Sequence, residues 1–500
     1  MQQQMRISTL ALAAITGLAA APALATNAMN LEGYGARAHA MGGAGMAYDT
    51  GNSGVMNNPA TLSMMDAEAR LGLGIRMLGP DVSLAMPTMG LSTDSDGTAY
   101  FMPSLSYMRR SGDLTYGIGV FAQGGMGTEY GTNNPMFSVG QSMGGTFISS
   151  TGMAGSTASA IGAGEQRSEL SVGRAIIPLS YRVNPRFNIA ASIDLVWMGM
   201  DMQMDMSGAQ IADMMPTTMN PAATNAMGTM SPSAGMAGAM GTMTDLYFGR
   251  FDFSDNSDFT GEAFGMGAGF KVGATYTISP MVTVGASYHS KTMVEDLSTD
   301  GASITFNGLG NWDQNAATAD TVAGMTLTGT MDVVDFEWPQ KFTVGTAFHP
   351  SETLMLVADV SWVNWANTMK NFKMKFTADG SAANTAMGMN GQTLDVSMKQ
   401  EWDNQFIVSL GGEVKATDKL ALRAGVSLAN NPVPDEYANP LFPAIVENHI
   451  TAGAGYSFNE HHHLGFAAAV GLDADTNSPW TGLQIDHGQF NWSLNYSYDF

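Results

Sequence analysis

The last eleven residues place the strongest constraint on what this chain can become. Phe490, Trp492, Leu494, Tyr496, Tyr498 and Phe500 occupy every second position, with Asn491, Ser493, Asn495, Ser497 and Asp499 between them. Successive side chains of a strand point to opposite faces. One face of this segment is therefore apolar and largely aromatic, and the other is polar. A soluble sandwich can end in an amphipathic strand, but it has no need of six large apolar groups on it. A membrane barrel does need them, because its wall faces lipid outside and a wet lumen inside. The expected fold is all-β: an antiparallel transmembrane β-barrel of about fourteen strands.

The N-terminus gives the same address. Arg6 precedes an apolar stretch over residues 7–21, and Ala23-Leu24-Ala25 follows. A positive start, a short apolar core and an A-x-A site read as a signal peptide over residues 1–25. That stretch is too short to favour a spanning helix, and nothing later holds eighteen apolar residues in a row. Strands must then carry the chain through lipid, where only helices and closed barrels satisfy the backbone. With no cysteine in 500 residues, disulfides and thiolate metal sites are excluded. A net charge of −23 with only 21 basic residues argues against nucleic acid.

Loop lengths alternate. Short connections fall near 110–113, 183–186, 278–280, 349–352, 416–419 and 459–463, with turn residues such as Ser111-Gly112-Asp113 and Asn184-Pro185. Long connections fall near 131–167, 205–262, 299–330, 370–399, 429–444 and 473–487. Outer-membrane barrels of Gram-negative bacteria have short periplasmic turns and long external loops, and an even strand number puts both ends on the periplasmic side. Alternation marks strands such as 420–428, and residues 331–348 read as one strand. Residues 68–500 are assigned to the barrel. Residues 26–67, rich in Gly, Ala and Asn, are assigned to a plug, because a barrel this size encloses a substantial lumen. Residues 202–243, which run into the Met-rich loop 205–262, hold eleven methionines. This run is either an adaptable apolar surface or a disordered, compositionally drifted loop.

Several short motifs then form a pattern. Ala40-Met41-Gly42-Gly43-Ala44-Gly45-Met46-Ala47 is followed by Asp49 and by Asn57-Asn58-Pro59-Ala60-Thr61-Leu62, just before the first strand. Gly79-Pro80-Asp81-Val82, Gly117-Ile118-Gly119-Val120, Trp338-Pro339 and Asn431-Pro432-Val433-Pro434 come later in order. In sequence and spacing the mature chain resembles the FadL/TodX-type outer-membrane transporters of fatty acids and other hydrophobic compounds. That resemblance implies a hatch carrying Gly42, Gly43, Gly45, Asn58, Pro59 and Ala60. It implies an external apolar groove, an inner pocket and sideways release at an inward kink of the third expected strand. The matching segment here is Gln123-Gly124-Gly125-Met126-Gly127, where Gly124, Gly125 and Gly127 permit a bend or bulge. The resemblance also makes Tyr498 and Phe500 the signal read by the barrel insertion machinery.

Motifs of catalysis are absent: there is no Walker loop and no HExxH, and Gly43-x-Gly45 completes no dinucleotide fingerprint. No enzyme activity, cofactor or metal is expected. His461-His462-His463 cannot easily converge on one ion, since neighbours on a strand alternate faces. Arg423, Lys341, Lys271, His289 and Lys291 fall on lumen faces. They would either bond a cargo carboxylate or pair with Asp and Glu of the wall. The expected function is passive, hatch-gated uptake of a hydrophobic small molecule by a monomer set among outer-membrane lipid and lipopolysaccharide. The alternatives are a water-filled porin for polar solutes and a surface adhesin or phage receptor.

Overall fold

The computed structural model describes residues 27–138, 164–241, 243–257, 261–310, 321–478 and 482–500. The expected signal peptide lies outside the described residues, as does most of the connection 131–167. In chain order the strands are β1 (Ala69–Met86), β2 (Leu91–Asp94), β3 (Tyr100–Ser111), β4 (Leu114–Glu129), β5 (Arg167–Asn184) and β6 (Phe187–Ser207). Next come β7 (Gly228–Pro232), β8 (Met243–Phe253), β9 (Ala263–Ser279), β10 (Val282–His289), β11 (Met293–Val294), β12 (Leu297–Gly310), β13 (Thr321–Val334) and β14 (Lys341–Phe348). The series ends with β15 (Leu354–Val363), β16 (Asn371–Ala378), β17 (Thr393–Lys399), β18 (Gln405–Lys415), β19 (Leu420–Ala429), β20 (His449–Ser457), β21 (His462–Ser478) and β22 (Leu483–Asp499).

These strands close on themselves. Antiparallel ladders lead from β1 through β3, β4, β5, β6, β9 and β10. They continue through β14, β15, β18, β19, β20, β21 and β22 back to β1. At the long-connection end the sheet grows upward along β6–β8–β12–β13–β16–β17–β7. The ring itself runs through fourteen strands, while the sheet as a whole holds 22, so an expectation of about fourteen strands misses the eight outside the ring.

The difference has a physical cause. Residues 205–262, 299–330 and 370–399 read as loops because Met, Thr and Gly blur the contrast between faces, yet they contain paired strands. β16 still alternates, with Phe372, Met374 and Phe376 buried. Nor is 331–348 one strand. Asp335 takes a left-handed turn (φ 56°), and Pro339 has no N–H to give a ladder, so β13 stops at Val334 and β14 starts at Lys341. The connection 473–487 is mostly a hairpin, paired as far as Ser478 and Leu483.

The outer face is apolar. Leu105, Ile118, Ile177, Leu179, Ile193, Phe270 and Phe406 are exposed, Ile193 by 65%. On the closing strand Phe490, Leu494 and Phe500 are exposed, while Asn491 and Ser493 are buried. A soluble monomer does not display a belt of this extent, and a wall in lipid does.

Residues 27–65 lie inside the ring and are almost wholly buried. They form a short helix (Gly35–His39) and two tight turns of helix (Gly51–Val55 and Pro59–Met64). The polar face of β22 binds them. Asn491 donates to Glu32 (3.2 Å), Ser493 bonds His39 (2.8 Å), and Asn495 accepts from the Ala36 N–H (2.7 Å).

Candidate functional site

The lumen segment carries four charged or readily charged side chains, and the wall answers each. Glu32 pairs with Arg76 of β1 (2.5 Å) and with His39 (2.8 Å). Arg37 pairs with Glu413 of β18 (2.7 Å), and Asp49 with Arg70 of β1 (3.1 Å), which also holds Asp499. Burial alone would raise the Glu32 carboxyl, but the Arg76 guanidinium and His39 hold it well below the usual carboxylate range. Burial, helped by Arg76, pushes the His39 imidazole down to about 4. Both shifts act in one direction. Between pH about 6.5 and 4 the unfolded chain takes up the His39 proton first, and below that it takes up the Glu32 proton first, so stability falls on acidification. Thermal melts of the purified barrel should shift down over this range, and His39→Gln should flatten the upper part of the slope.

The motif residues sit at the tightest contacts. Asn58 caps the turn Pro59–Met64 by accepting from the Ala60 N–H (3.1 Å), and its amide reaches the Met46 carbonyl (2.8 Å) and the Ala274 carbonyl of β9 (3.2 Å). Gly42 (φ 68°) donates to Thr451 of β20 (2.8 Å), and Gly45 donates to Asp359 of β15 (2.6 Å). Gly43 has φ 86°, and a Cβ there would collide with the Glu32 carbonyl. A left-handed non-glycine residue costs roughly 1–3 kcal/mol before any clash. Gly43→Ala should therefore destabilise the fold by at least that much, seen as a lower unfolding midpoint in the heat-dependent gel shift of the barrel.

The wall is broken beside this segment. The β3–β4 ladder runs from the turn at Ser111 and Leu114 up to Leu105 and Val120 and then ends. β3 continues from Ser104 to Tyr100 paired only to β1, and it carries Pro103, which lacks an N–H. β4 continues bonded to β5 with a bulge between Ala122 and Gly124. At that bulge it turns to the lumen segment. The Gln123 carbonyl accepts from the Tyr34 hydroxyl (2.6 Å), and Gly124 forms a bridge with Asn30. A Cβ on Gly124 would overlap the Met29 carbonyl and press the Trp338 ring at 3.1 Å, so only glycine permits this approach. A cavity of about 250 Å³ lies in the gap, lined by Met102, Phe121, Gly124, Met126, Leu170 and Trp197 among others. Gly125 and Gly127 lie on the β5 side of the same bend.

A single apolar cluster runs from the gap to the long-connection end. It contains Met29, Met126, Leu170 and Val172 near the gap. Met198 and Met200 of β6 pair with Val172 and Leu170 there, and the same cluster takes in Trp338, Trp365 and Trp402 together with Met202, Met204, Met206, Met214, Met230, Met236, Met325 and Met374. The Met-rich run is folded within its described residues. It forms the upper half of β6, a helix Gly208–Met214 with a Ser207–Gln210 capping box, β7, and a helix Ala234–Met240. The reading of this run as a disordered loop is overturned.

Three of the five basic residues expected in the lumen are ion-paired with wall carboxylates. Arg423 bonds Glu413 (2.6 Å), Lys271 bonds Asp194 alongside Arg174, and Lys291 bonds Glu337 (2.5 Å). His289 contacts the Asn57 carbonyl (3.2 Å). Lys341 borders a cavity of about 20 Å³ with His289, Asn57 and Asp359. At the short-turn end His461, His462 and His463 bond the Asp499 carbonyl, the Tyr496 hydroxyl and Ser457 separately. No group among the described residues could hold a metal ion. Phe500 packs on Tyr107 and Tyr498 and donates its N–H to Ala69. Pro103, Asn30, Trp365 and Trp402 carried no signal by spacing alone, although four charges in an otherwise uncharged segment could have marked Glu32, Arg37, His39 and Asp49.

The sequence model of a family described as outer membrane protein transport protein (OMPP1/FadL/TodX) matches residues 12–490. In structure the chain is similar to the toluene transporter TodX of P. putida, with 27% identity, 94% of this chain and 99% of that chain covered, and a TM-score of 0.75. It is also similar to the Ralstonia pickettii toluene transporter TbuX, at 26% identity over 94% of this chain and 99% of that one, with a TM-score of 0.69. A Pseudomonas aeruginosa FadL homologue shares the fold, at 14% identity over 95% of this chain and 100% of that one, with a TM-score of 0.62. A curated Chlorobium limicola protein, named as an uncharacterized protein in the phosphoenolpyruvate carboxykinase gene 5' region, is 50% identical over 116 residues, 23% of this chain. The match spans 55% of that relative's length.

Proposed function

Because the chain belongs to the OMPP1/FadL/TodX family of outer-membrane transport proteins, we propose that it takes up small uncharged hydrocarbons and releases them sideways between β3 and β4. The protein is an outer-membrane β-barrel of a Gram-negative bacterium, a hydrophobic-compound channel and not an enzyme. Cargo partitions among the buried methionines of the apolar cluster, whose unbranched, polarizable side chains adapt to many shapes. It then follows the continuous apolar cluster to the gap. The observation that carries this reading is the lost ladder above Leu105 and Val120, with β4 drawn inward onto Tyr34 and Asn30. An apolar solute that leaves there passes into lipid and never crosses a wet channel. Residues 26–67 act as the hatch, with Asn58 and Pro59 as its hinge, and Tyr498 and Phe500 serve insertion.

The cargo class rests on two supports. Similar chains are named as toluene transporters. Arg423, Lys271 and Lys291 each contact a wall carboxylate already, Glu413 being shared with Arg37 and Asp194 with Arg174, so a fatty-acid head group would have to compete with a wall carboxylate to bind there. A Gram-negative host that lacks such transporters should accumulate dilute toluene faster when it expresses this protein. Equal rates with and without the protein contradict the reading. In planar bilayers the filled lumen should pass little current, and a large steady conductance would favour the porin instead.

A further inference from the structure

Three tryptophans stand at one height inside the wall, although they come from three separate crossings of the chain. Lys341 of β14, Val363 of β15 and Gln405 of β18 form one cross-strand row. Trp338 lies three residues before Lys341, Trp365 two residues after Val363, and Trp402 three residues before Gln405. The rings meet edge to face, Trp338 on Trp365 at 5.7 Å and Trp365 on Trp402 at 5.2 Å. All three are 2% exposed or less. The row belongs to the same apolar cluster as the buried methionines of the long-connection end and as Met29 and Met126 at the gap. Trp338 also touches the kink at Gly124 and donates to Asn30 (3.0 Å).

The hydrogen bonding of the row is graded. The Trp365 indole N–H reaches Gln405 at 3.3 Å. The Trp402 N–H has no hydrogen-bond partner among the described residues. A buried donor is ordinarily matched, so an unmatched one here is an open valence on the apolar route. The Trp402 ring can turn without breaking a hydrogen bond, and its N–H can meet the π face of a passing ring.

We infer that the Trp338–Trp365–Trp402 row selects planar aromatic cargo over saturated cargo of the same size. The inference deepens the proposed uptake function and rests on it for its cellular readout. An aromatic ring gains edge-to-face contacts with the indoles that a saturated ring cannot make, and one such contact discriminates by about three- to tenfold. Methionines alone would accept both.

The test compares toluene with methylcyclohexane, which has the same carbon count. In cells, Trp402→Leu should lower the toluene-to-methylcyclohexane uptake ratio about fivefold, and Trp402→Phe should restore most of it. A purely structural role would lower both uptakes together and leave the ratio unchanged, and that result overturns the inference. Fluorescence of the purified wild-type protein gives a second readout that needs no variant. Toluene should change the tryptophan emission, and methylcyclohexane at equal concentration should not. Equal responses to both also overturn the inference. If wild-type cells take up neither compound, the uptake reading fails, and the fluorescence comparison still decides the selectivity of the row.

Discussion

Replacing Glu32 with Gln should destabilise the folded barrel by about 3–5 kcal/mol, the usual cost of stranding one partner of a buried ion pair. Glu32 is fully buried and accepts from Arg76, His39 and Asn491. The Arg76 side chain is only 8% exposed and also donates to the Gly33 carbonyl. Without the carboxylate its charge stays buried with no counter-charge at Glu32. The double variant Glu32→Gln/Arg76→Met removes both charges and should recover part of the loss, because the two effects are coupled. Urea unfolding in detergent, followed by tryptophan fluorescence, reads both. A Glu32→Gln midpoint equal to wild type, or a double variant weaker than the sum of the singles, contradicts this account of what holds the lumen segment.

The closing strand illustrates what could be read in advance. A membrane wall forces period-two alternation, so its lipid face was legible residue by residue. The partners of its polar face were not. Asn491 and Glu32 are 459 positions apart in the chain, and no local pattern joins them. The Met-rich run failed as a structural signal for a different reason. Met and Thr sit comfortably on either face of a strand, so β6 beyond Trp197 and the strands above it lose their contrast. The break at Asp335 and Pro339 was legible, since a proline inside an apparent strand argues against one continuous ladder.

The site divides in the same way. Gly124 stood out because three glycines in five residues are costly in a strand unless something approaches closely, and Met29, Asn30 and Trp338 do. The matching weakness in β3 went unread, although Pro103 lies in it. For the basic residues, simple arithmetic was available. A turn at 416–419 places Glu413 opposite Arg423, which makes an ion pair the expected partner of that arginine. The tryptophan row needed the register of β14, β15 and β18, which no single stretch of sequence contains.

The second large effect concerns the gap itself. Ser104 and Phe121 lie one step beyond the last paired residues, Leu105 and Val120, and border a common small cavity. The chain has no cysteine, so Ser104→Cys/Phe121→Cys introduces the only two thiols. A disulfide, or a short bis-thiol linker where the sulfurs stand too far apart, would tie β3 to β4 across the opening. The methionines and the tryptophan row stay untouched, and because Phe121 also belongs to the cluster of Leu31 and Tyr34 in the lumen segment, the same variant without the bridge is the reference. Cargo that leaves sideways then meets strands tied together at the edge of the gap. Toluene uptake should fall at least tenfold, which corresponds to about 1.4 kcal/mol on the barrier, and a reductant should restore it in the disulfide form.

The decisive measurement is therefore toluene uptake by cells carrying the Ser104→Cys/Phe121→Cys protein, before and after cross-linking, with cross-link formation verified by mass spectrometry. Sideways release predicts uptake that collapses when the bridge is present and recovers in the same protein when it is removed. Uptake unchanged by a verified bridge would contradict the wall-gap route and direct the exit through the short-turn end of the lumen.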